Sequence, residues 1–186
     1  MPASRLARHH ASNSAPSSLE TRAEEHSRNY RPRPTVQCAS VAFNERVVSA
    51  AVDDARAVAA ADIDGDFDLD VLGAGDFLYW FEADASQSFA AHELATPFGS
   101  KHIDIVTADV DGDNNQDIVV ASSGTDSVEL HLNDGSESYT EQIVTSTADG
   151  ARSAFVADVD GNSDMDILST SINDDSVSWH ENDGSG

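Results

Sequence analysis

Cysteine, basic residues and long apolar runs are what this 186-residue chain has least of, and each scarcity removes a class of protein. Cys38 is the only cysteine, so no disulfide closes within the chain and no zinc cluster can be built from thiolates. Lysine and arginine number 10 against 34 acids, for a formal charge of −24. Arg5, Arg8, Arg22, Arg28, Arg31 and Arg33 lie in the first 40 residues beside only Glu20, Glu24 and Glu25. The acidic remainder holds only Arg46, Arg56, Lys101 and Arg152 as basic residues. A body of that sign has no basic face to lay along a phosphate backbone, so no nucleic acid is expected as partner. No apolar run approaches the ~18 residues that cross a bilayer, so no membrane insertion is expected. The N-terminus also lacks the apolar core of about 7–15 residues that marks a secretory signal. Either the chain is not exported by that route or its true N-terminus lies elsewhere.

Residues 1–35 are rich in Ser, Ala, Arg and Pro and end in Arg31-Pro32-Arg33-Pro34, the composition of a disordered leader. A transit peptide or a tether to an anionic surface is the alternative, and the three glutamates weigh against the first. From residue 36 to 186 the text changes to short apolar stretches separated by Gly, Asp, Asn and Ser, with no apolar stripe at helical spacing.

One acidic stretch recurs three times in that body. Asp62-Ile63-Asp64-Gly65-Asp66-Phe67-Asp68-Leu69-Asp70 returns as Asp109-Val110-Asp111-Gly112-Asp113-Asn114-Asn115-Gln116-Asp117 and again as Asp158-Val159-Asp160-Gly161-Asn162-Ser163-Asp164-Met165-Asp166. Phe43, Phe89 and Tyr139 open the three units, at about 43–88, 89–138 and 139–186. Each unit holds four candidate strands. The first is Arg46-Val47-Val48, His92-Glu93-Leu94 or Gln142-Ile143-Val144. The second runs into the acidic loop and the third leaves it, as in Asp117-Ile118-Val119-Val120. The fourth, such as Val128-Glu129-Leu130-His131-Leu132, ends in an Asn-Asp-Gly-Ser turn at 133 and 182. Four short strands per unit predict an all-β chain, a partial β-propeller of about three four-stranded antiparallel blades. Each unit begins on what would be the outer strand of the preceding blade. Three blades are fewer than the four to eight that typically close a ring. The chain is therefore expected to be a piece of a longer propeller, or to form a homo-oligomer that completes one.

Carboxylates packed this closely repel one another unless a hard cation sits among them. Positions 1, 3 and 5 of such a loop turn side-chain oxygens inward, and the glycine at position 4 permits the tight turn. Position 7 offers a carbonyl. Position 12, which closes an EF-hand with Glu, is here Gly73, Val120 or Ser169, while position 9 is always Asp. The spacing therefore predicts an EF-like loop on a β-scaffold, closed by position 9. The expected ligands are Asp62, Asp64, Asp66 and Asp70; Asp109, Asp111, Asp113 and Asp117; and Asp158, Asp160, Asn162 and Asp166, with Asp68, Asn115 and Asp164 giving carbonyls. The third set has one charge fewer at position 5 and is expected to be the weakest. Ca²⁺ suits such a large oxygen site better than Mg²⁺, which demands a strict octahedron with several waters. Up to three Ca²⁺ ions are expected; bare acidic turns are the alternative.

In this motif, Ala-Asp-(Ile/Val)-Asp-Gly-(Asp/Asn)-x-x-x-Asp before an apolar strand, residues 43–186 resemble the FG-GAP/VCBS repeat family, known from integrin α chains and from secreted proteins. The resemblance implies a propeller whose blades carry Ca²⁺ between their first two strands. Trp80, Leu130 and Trp179 fall at equivalent places and read as packing between blades, with sugar stacking the sharper reading. His92, His102, His131 and His180 show no nucleophile partner or ligand spacing in the sequence, and nothing assembles a catalytic site. The expected function is a non-catalytic calcium-binding module for protein or glycan partners, extracellular or at a cell surface, where Ca²⁺ is plentiful. The alternative is the propeller segment of a carbohydrate-active enzyme such as a polysaccharide lyase.

Overall fold

The computed structural model describes residues 40–94, 99–136 and 138–184, so the proposed 1–35 leader lies outside the described residues. The chain divides into two units, Met1–Asn44 and Glu45–Gly186. Residues 40–44 of the first have no regular structure and are exposed. The second holds eleven strands and, among the described residues, no helix, so none long and apolar enough to cross a membrane.

The strands are β1 (Ala57–Ala61), β2 (Asp70–Ala74), β3 (Leu78–Ala83), β4 (Phe89–Leu94), β5 (His102–Ala108), β6 (Asp117–Ser122), β7 (Ser127–Asn133), β8 (Tyr139–Thr145), β9 (Ala151–Ala157), β10 (Asp166–Ser171) and β11 (Ser176–His180). They form three antiparallel meanders, β1-β2-β3-β4, β5-β6-β7-β8 and β9-β10-β11. Contact between sheets is concentrated on their first strands, β1 with β5 and β5 with β9. The architecture is an open, partial propeller of three blades.

The offset between sequence unit and blade is observed. β4 and β8 open the second and third units yet pair as the outer strands of blades 1 and 2. The first expected strand, Arg46-Val47-Val48, does not form. It stands where β4 and β8 stand in their units, but no sheet precedes it among the described residues. A strand with no neighbour leaves its ladder groups to water and gains nothing from extension. Eleven strands therefore replace the twelve expected.

Each blade buries one face under the next. Ile63, Leu72, Leu78 and Trp80 of blade 1 pack against Ile105, Ile118 and Val120 of blade 2. Val110, Val119, Val128 and Leu130 of blade 2 pack in the same way against Ala151, Ala154 and Ile167 of blade 3. β6 is sandwiched on both sides, and all six of its residues are buried, which explains its uninterrupted Asp-Ile-Val-Val-Ala-Ser run in place of alternation. Trp80 is stacked on His92 across β3 and β4, with ring centroids 4.6 Å apart.

A polar group lies within blade 2. His102, Glu129 and His131 are buried, and Nε2 of His102, Oε2 of Glu129 and Nε2 of His131 have no hydrogen-bond partner. His102 Nδ1 meets Ser122 Oγ at 2.8 Å, Ser127 Oγ donates to Glu129 Oε1 at 2.6 Å, and His131 Nε2 lies 3.9 Å from Glu129 Oε2. Burial pushes both imidazoles below the usual histidine range, against the pull of Glu129. A histidine held neutral in the fold but free to protonate when unfolded contributes stability above its unfolded pKa, which is lost as pH falls through that value. Unfolding midpoints are thus expected to decline between pH 7 and pH 5, by at most ~1.4 kcal/mol per pH unit for each histidine. His131→Phe, which places there the residue found at the equivalent Phe81, should flatten the slope in denaturant titrations at each pH. An unchanged slope would show that His131 is not its source.

Candidate metal centre

The three loops join β1 to β2, β5 to β6 and β9 to β10, and they share one hydrogen-bond scheme. The carboxylate at position 1 accepts from the amides of positions 4 and 6. These bonds measure 2.9 and 3.1 Å at Asp62, 2.8 and 3.0 Å at Asp109, and 2.7 and 3.1 Å at Asp158. Position 3 accepts from the amide of position 5 at 3.1, 3.2 and 3.0 Å for Asp64, Asp111 and Asp160. Position 5 accepts from position 7 at 2.8, 2.8 and 2.7 Å for Asp66, Asp113 and Asn162. The short side chains thus bend the backbone around themselves.

Two residues per loop take left-handed backbone. Gly65, Gly112 and Gly161 have φ of 79°, 80° and 80°, and an added Cβ would meet nothing within 4 Å. Glycine is required there by conformation, not by space. Position 6 adopts the same region with Phe67, Asn114 and Ser163, at φ of 73°, 71° and 82°. Asn tolerates it, whereas Phe67 is strained and projects into solvent. The sequence reading anticipated position 4 and missed position 6.

Position 9 is closed to solvent and tied at both oxygens. Asp70 accepts from Ile63 N at 3.1 Å and Ala83 N at 2.8 Å. Asp117 accepts from Val110 N at 2.8 Å and Asn133 N at 2.9 Å. Asp166 accepts from Val159 N at 3.0 Å and Asn182 N at 2.8 Å. Each therefore clamps its loop to the end of the third strand of its own blade.

Carboxylate oxygens converge to within 4.8 Å in three groups: Asp62, Asp64 and Asp66; Asp109, Asp111 and Asp117; and Asp158, Asp160 and Asp166. Among the described residues, no other His, Cys, Asp or Glu residues form such a group. Asp68, Asp70, Asp113 and Asp164 stand outside them. Asn115 turns its Nδ2 to Asp113 Oδ2 at 2.8 Å, and Asn162 turns its Nδ2 to the Asn182 carbonyl at 3.3 Å. Oxygens on opposite sides of a Ca²⁺ ion lie about 4.6–5.2 Å apart at the usual bond lengths, so an all-oxygen group of this span suits that ion. Partial burial raises the Asp64 carboxyl above the ordinary carboxylate range, and the charges of Asp66 and Asp70 add to the shift. Burial likewise raises Asp117 despite its two amide bonds, whereas the amides of Asn182 and Val159 hold Asp166 low. The difference follows from packing: blade 3 lies over blade 2, and no further sheet lies over blade 3 among the described residues. A cleft of about 400 Å³ opens between the first two loops, lined by Asp62, Ile63, Gly65, Thr107, Asn114 and Gln116 among others.

The asparagines that open the Asn-Asp-Gly-Ser turns have a second role that the sequence reading missed. Asn133 Nδ2 donates to the carbonyl of Ile63 in the loop of blade 1 at 2.8 Å, and Asn182 Nδ2 to that of Val110 in the loop of blade 2 at 3.2 Å. The signal was available: both asparagines stand 16 residues beyond their position-9 acid. The fold also supplies two histidines with serine partners not evident in sequence, His102 with Ser122 and His180 with Ser169, the latter at 2.9 Å.

Removing a position-9 carboxylate orphans two backbone amides at once. Asp117→Ala is expected to cost about 3–4 kcal/mol, from two charge-assisted bonds, in urea unfolding carried out in chelator, where no cation contributes. A loss below ~1 kcal/mol under those conditions would show that the clamp is not structural.

Residues 109–169, from the first acid of the second loop into β10, match the family described as FG-GAP-like repeat. No curated protein matches the chain. The segment 109–169, with its acidic loop, its antiparallel blade and the next loop in register, is thus similar to the FG-GAP-like repeat family, in agreement with the resemblance read from the sequence.

Proposed function

We propose that this chain is a calcium-binding propeller module that acts by binding, with protein or glycan partners, outside the cell or at its surface. The observation that carries the reading is the threefold convergence of carboxylate oxygens within 4.8 Å on one shared loop backbone. The donor set is all oxygen, which favours a hard cation, and the loops are fully wound by their own hydrogen bonds, so the ligands need little rearrangement to receive one. Asp62, Asp64 and Asp66 would hold the ion in blade 1, Asp109, Asp111 and Asp117 in blade 2, and Asp158, Asp160 and Asp166 in blade 3. The remaining acids and Asn162 complete the shells.

Two features support binding over catalysis. The serines paired with histidine, Ser122 and Ser169, are buried, so no substrate reaches either hydroxyl. The loops, by contrast, are exposed along one end of the blades, where a partner has access. Extracellular use is supported by the modest affinity expected of such loops, which fill where Ca²⁺ is abundant.

Chelation is expected to lower the thermal midpoint, and Ca²⁺ at a hundredfold excess over Kd to stabilise by ~2.7 kcal/mol per site through mass action. Asp62→Ala, Asp109→Ala and Asp158→Ala should each remove one site from a calorimetric Ca²⁺ titration. A midpoint indifferent to both chelator and Ca²⁺, or titrations that keep every site, would overturn the metal assignment. The binding role is checked on glycan arrays and cell surfaces, where signal is expected in Ca²⁺ and absent in chelator.

A further inference from the structure

Two parts of the structure lack the partner that their equivalents have. The first is blade 3, a three-stranded sheet with β11 at its edge among the described residues. Its outward face carries Phe155, Val177 and Trp179. Val177 is 80% exposed where the equivalent Val128 of blade 2 is 0%, and Trp179 is 47% exposed where Leu130 is 5%. In blade 2 the turn residue Asp126 receives Ala148 N at 2.9 Å and, on its carboxylate, Gly150 N at 2.8 Å. Asp175, its equivalent with the same φ of 54°, receives no such amide among the described residues. The apolar face and the turn aspartate by which blade 2 holds blade 3 are thus repeated on blade 3 and unused.

The second is the segment before β1. Residues 45–48 occupy the outer-strand position of the repeat, yet pair with no sheet, and Val47 is exposed. The residues after them are already set as in the other blades. Asp76 N donates to Asp53 O at 3.1 Å, as Gly124 N does to Ser100 O at 2.8 Å and Asn173 N to Asp149 O at 3.1 Å. In blades 2 and 3 the chain before this contact is β4 or β8, lying on the preceding sheet. The chain before Asp53 is therefore delivered to a sheet that would stack on blade 1.

We propose that the open face and edge of blade 3 receive blade 1 of a second copy of this chain, whose residues 45–48 add to β11 as its fourth strand. Carried over from β3–β4, the register places Arg46 of the second copy opposite Trp179, as His92 stands opposite Trp80, and Val48 opposite Val177. A guanidinium over an indole face is favourable, and the strand closes an edge that otherwise invites pairing. The contact is head-to-tail, so two copies close it into a ring of six blades, within the range that propellers form. The junction lacks bonds found inside the chain: Asp104 Oδ2 of blade 2 accepts from Ser153 Oγ and Ala154 N of blade 3 at 2.7 and 3.1 Å, and the residue at its place in blade 3 is Ser153. The residue that would cap Val159, as Asn133 caps Ile63, is Ala83 of the second copy.

Sedimentation of the full chain over a range of concentrations, in Ca²⁺ and in chelator, tests the proposal, with circular dichroism reporting whether the blades stay folded. A dimer is expected in Ca²⁺. Arg46→Pro, which removes a donor that the register turns toward β11, and Val177→Asp, on the open face, should each give folded monomers, since both positions are exposed in one copy. An equimolar mixture of the two variants should recover a dimer through its one intact junction, which a face-to-face dimer would not. Ala83→Asn should tighten the dimer about thirtyfold, since the ring has two junctions and each gains one hydrogen bond. A wild-type monomer at all concentrations, as expected if a following blade of the same chain covers the face, would overturn the proposal. So would a dimer indifferent to both Arg46→Pro and Val177→Asp. Because folding and Ca²⁺ binding are read separately, failure of the junction is distinguishable from failure of the metal sites.

Discussion

Two backbone amides meet on each of Asp70, Asp117 and Asp166, one from the second residue of the acidic loop and one from the end of the third strand. The loop and the sheet are otherwise separate problems. A loop of carboxylates repels itself open, and a meander of short strands frays at its ends. The clamp couples them, because the carboxylate that neutralises the amide of position 2 also fixes where the third strand stops. The other loop acids then need only local bonds to wind the backbone, from position 1 to positions 4 and 6, from 3 to 5 and from 5 to 7. Ligand geometry is in this sense a by-product of backbone satisfaction. A cation seated there would only have to relieve charge in a shape that already exists.

The same clamp sets the spacing between blades. Asn133 and Asn182 give their own amides to the clamp and their side-chain amides to the loop of the preceding blade. One residue thus ties its sheet, its own loop and its neighbour's loop. Apolar contact supplies the bulk of the adhesion between blades, but contact alone permits sliding, whereas a buried carbonyl that must be capped does not. Registry between blades is set by these asparagines, and the apolar faces of Leu72, Val119 and their neighbours follow.

Much of this was legible in the sequence. The all-β class, the loop positions and the offset between unit and blade all came from three acidic stretches in register, because the spacing of side chains in a wound loop leaves a direct imprint on residue order. The positive φ at Phe67 was not legible, since nothing about Phe advertises that conformation; it is imposed by the amide of position 6 reaching back to Asp62. Nor was the missing strand at Arg46-Val47-Val48. Its composition matches that of β4 and β8, and whether it becomes a strand depends on a neighbour elsewhere. The polar group of His102, Glu129 and His131 was equally hidden, because polar residues that alternate along a strand, as Glu129 and His131 do, read the same whether their face meets water or another sheet.

Repetition makes the departures from it informative. Phe81, His131 and His180 are register equivalents, yet Phe81 lies over Gly73 and forms a stacked pair with Tyr79, His131 is buried beside Glu129, and His180 reaches Ser169. Asn133 and Asn182 have Ala83 as their counterpart in blade 1, which has no acidic loop before it among the described residues. Where the bonds within the acidic loop repeat without change, the side chains diverge according to what each blade faces: an aromatic surface on blade 1, a polar pocket on blade 2 and a contact of buried Ser169 with half-buried His180 on blade 3. A strict copy would stack indefinitely on copies of itself, since head-to-tail contacts that do not close form filaments. Divergence at these positions makes each interface distinct while the clamp and the loop stay the same, so the order of the blades is written in their faces and the convergence of carboxylates in what they share.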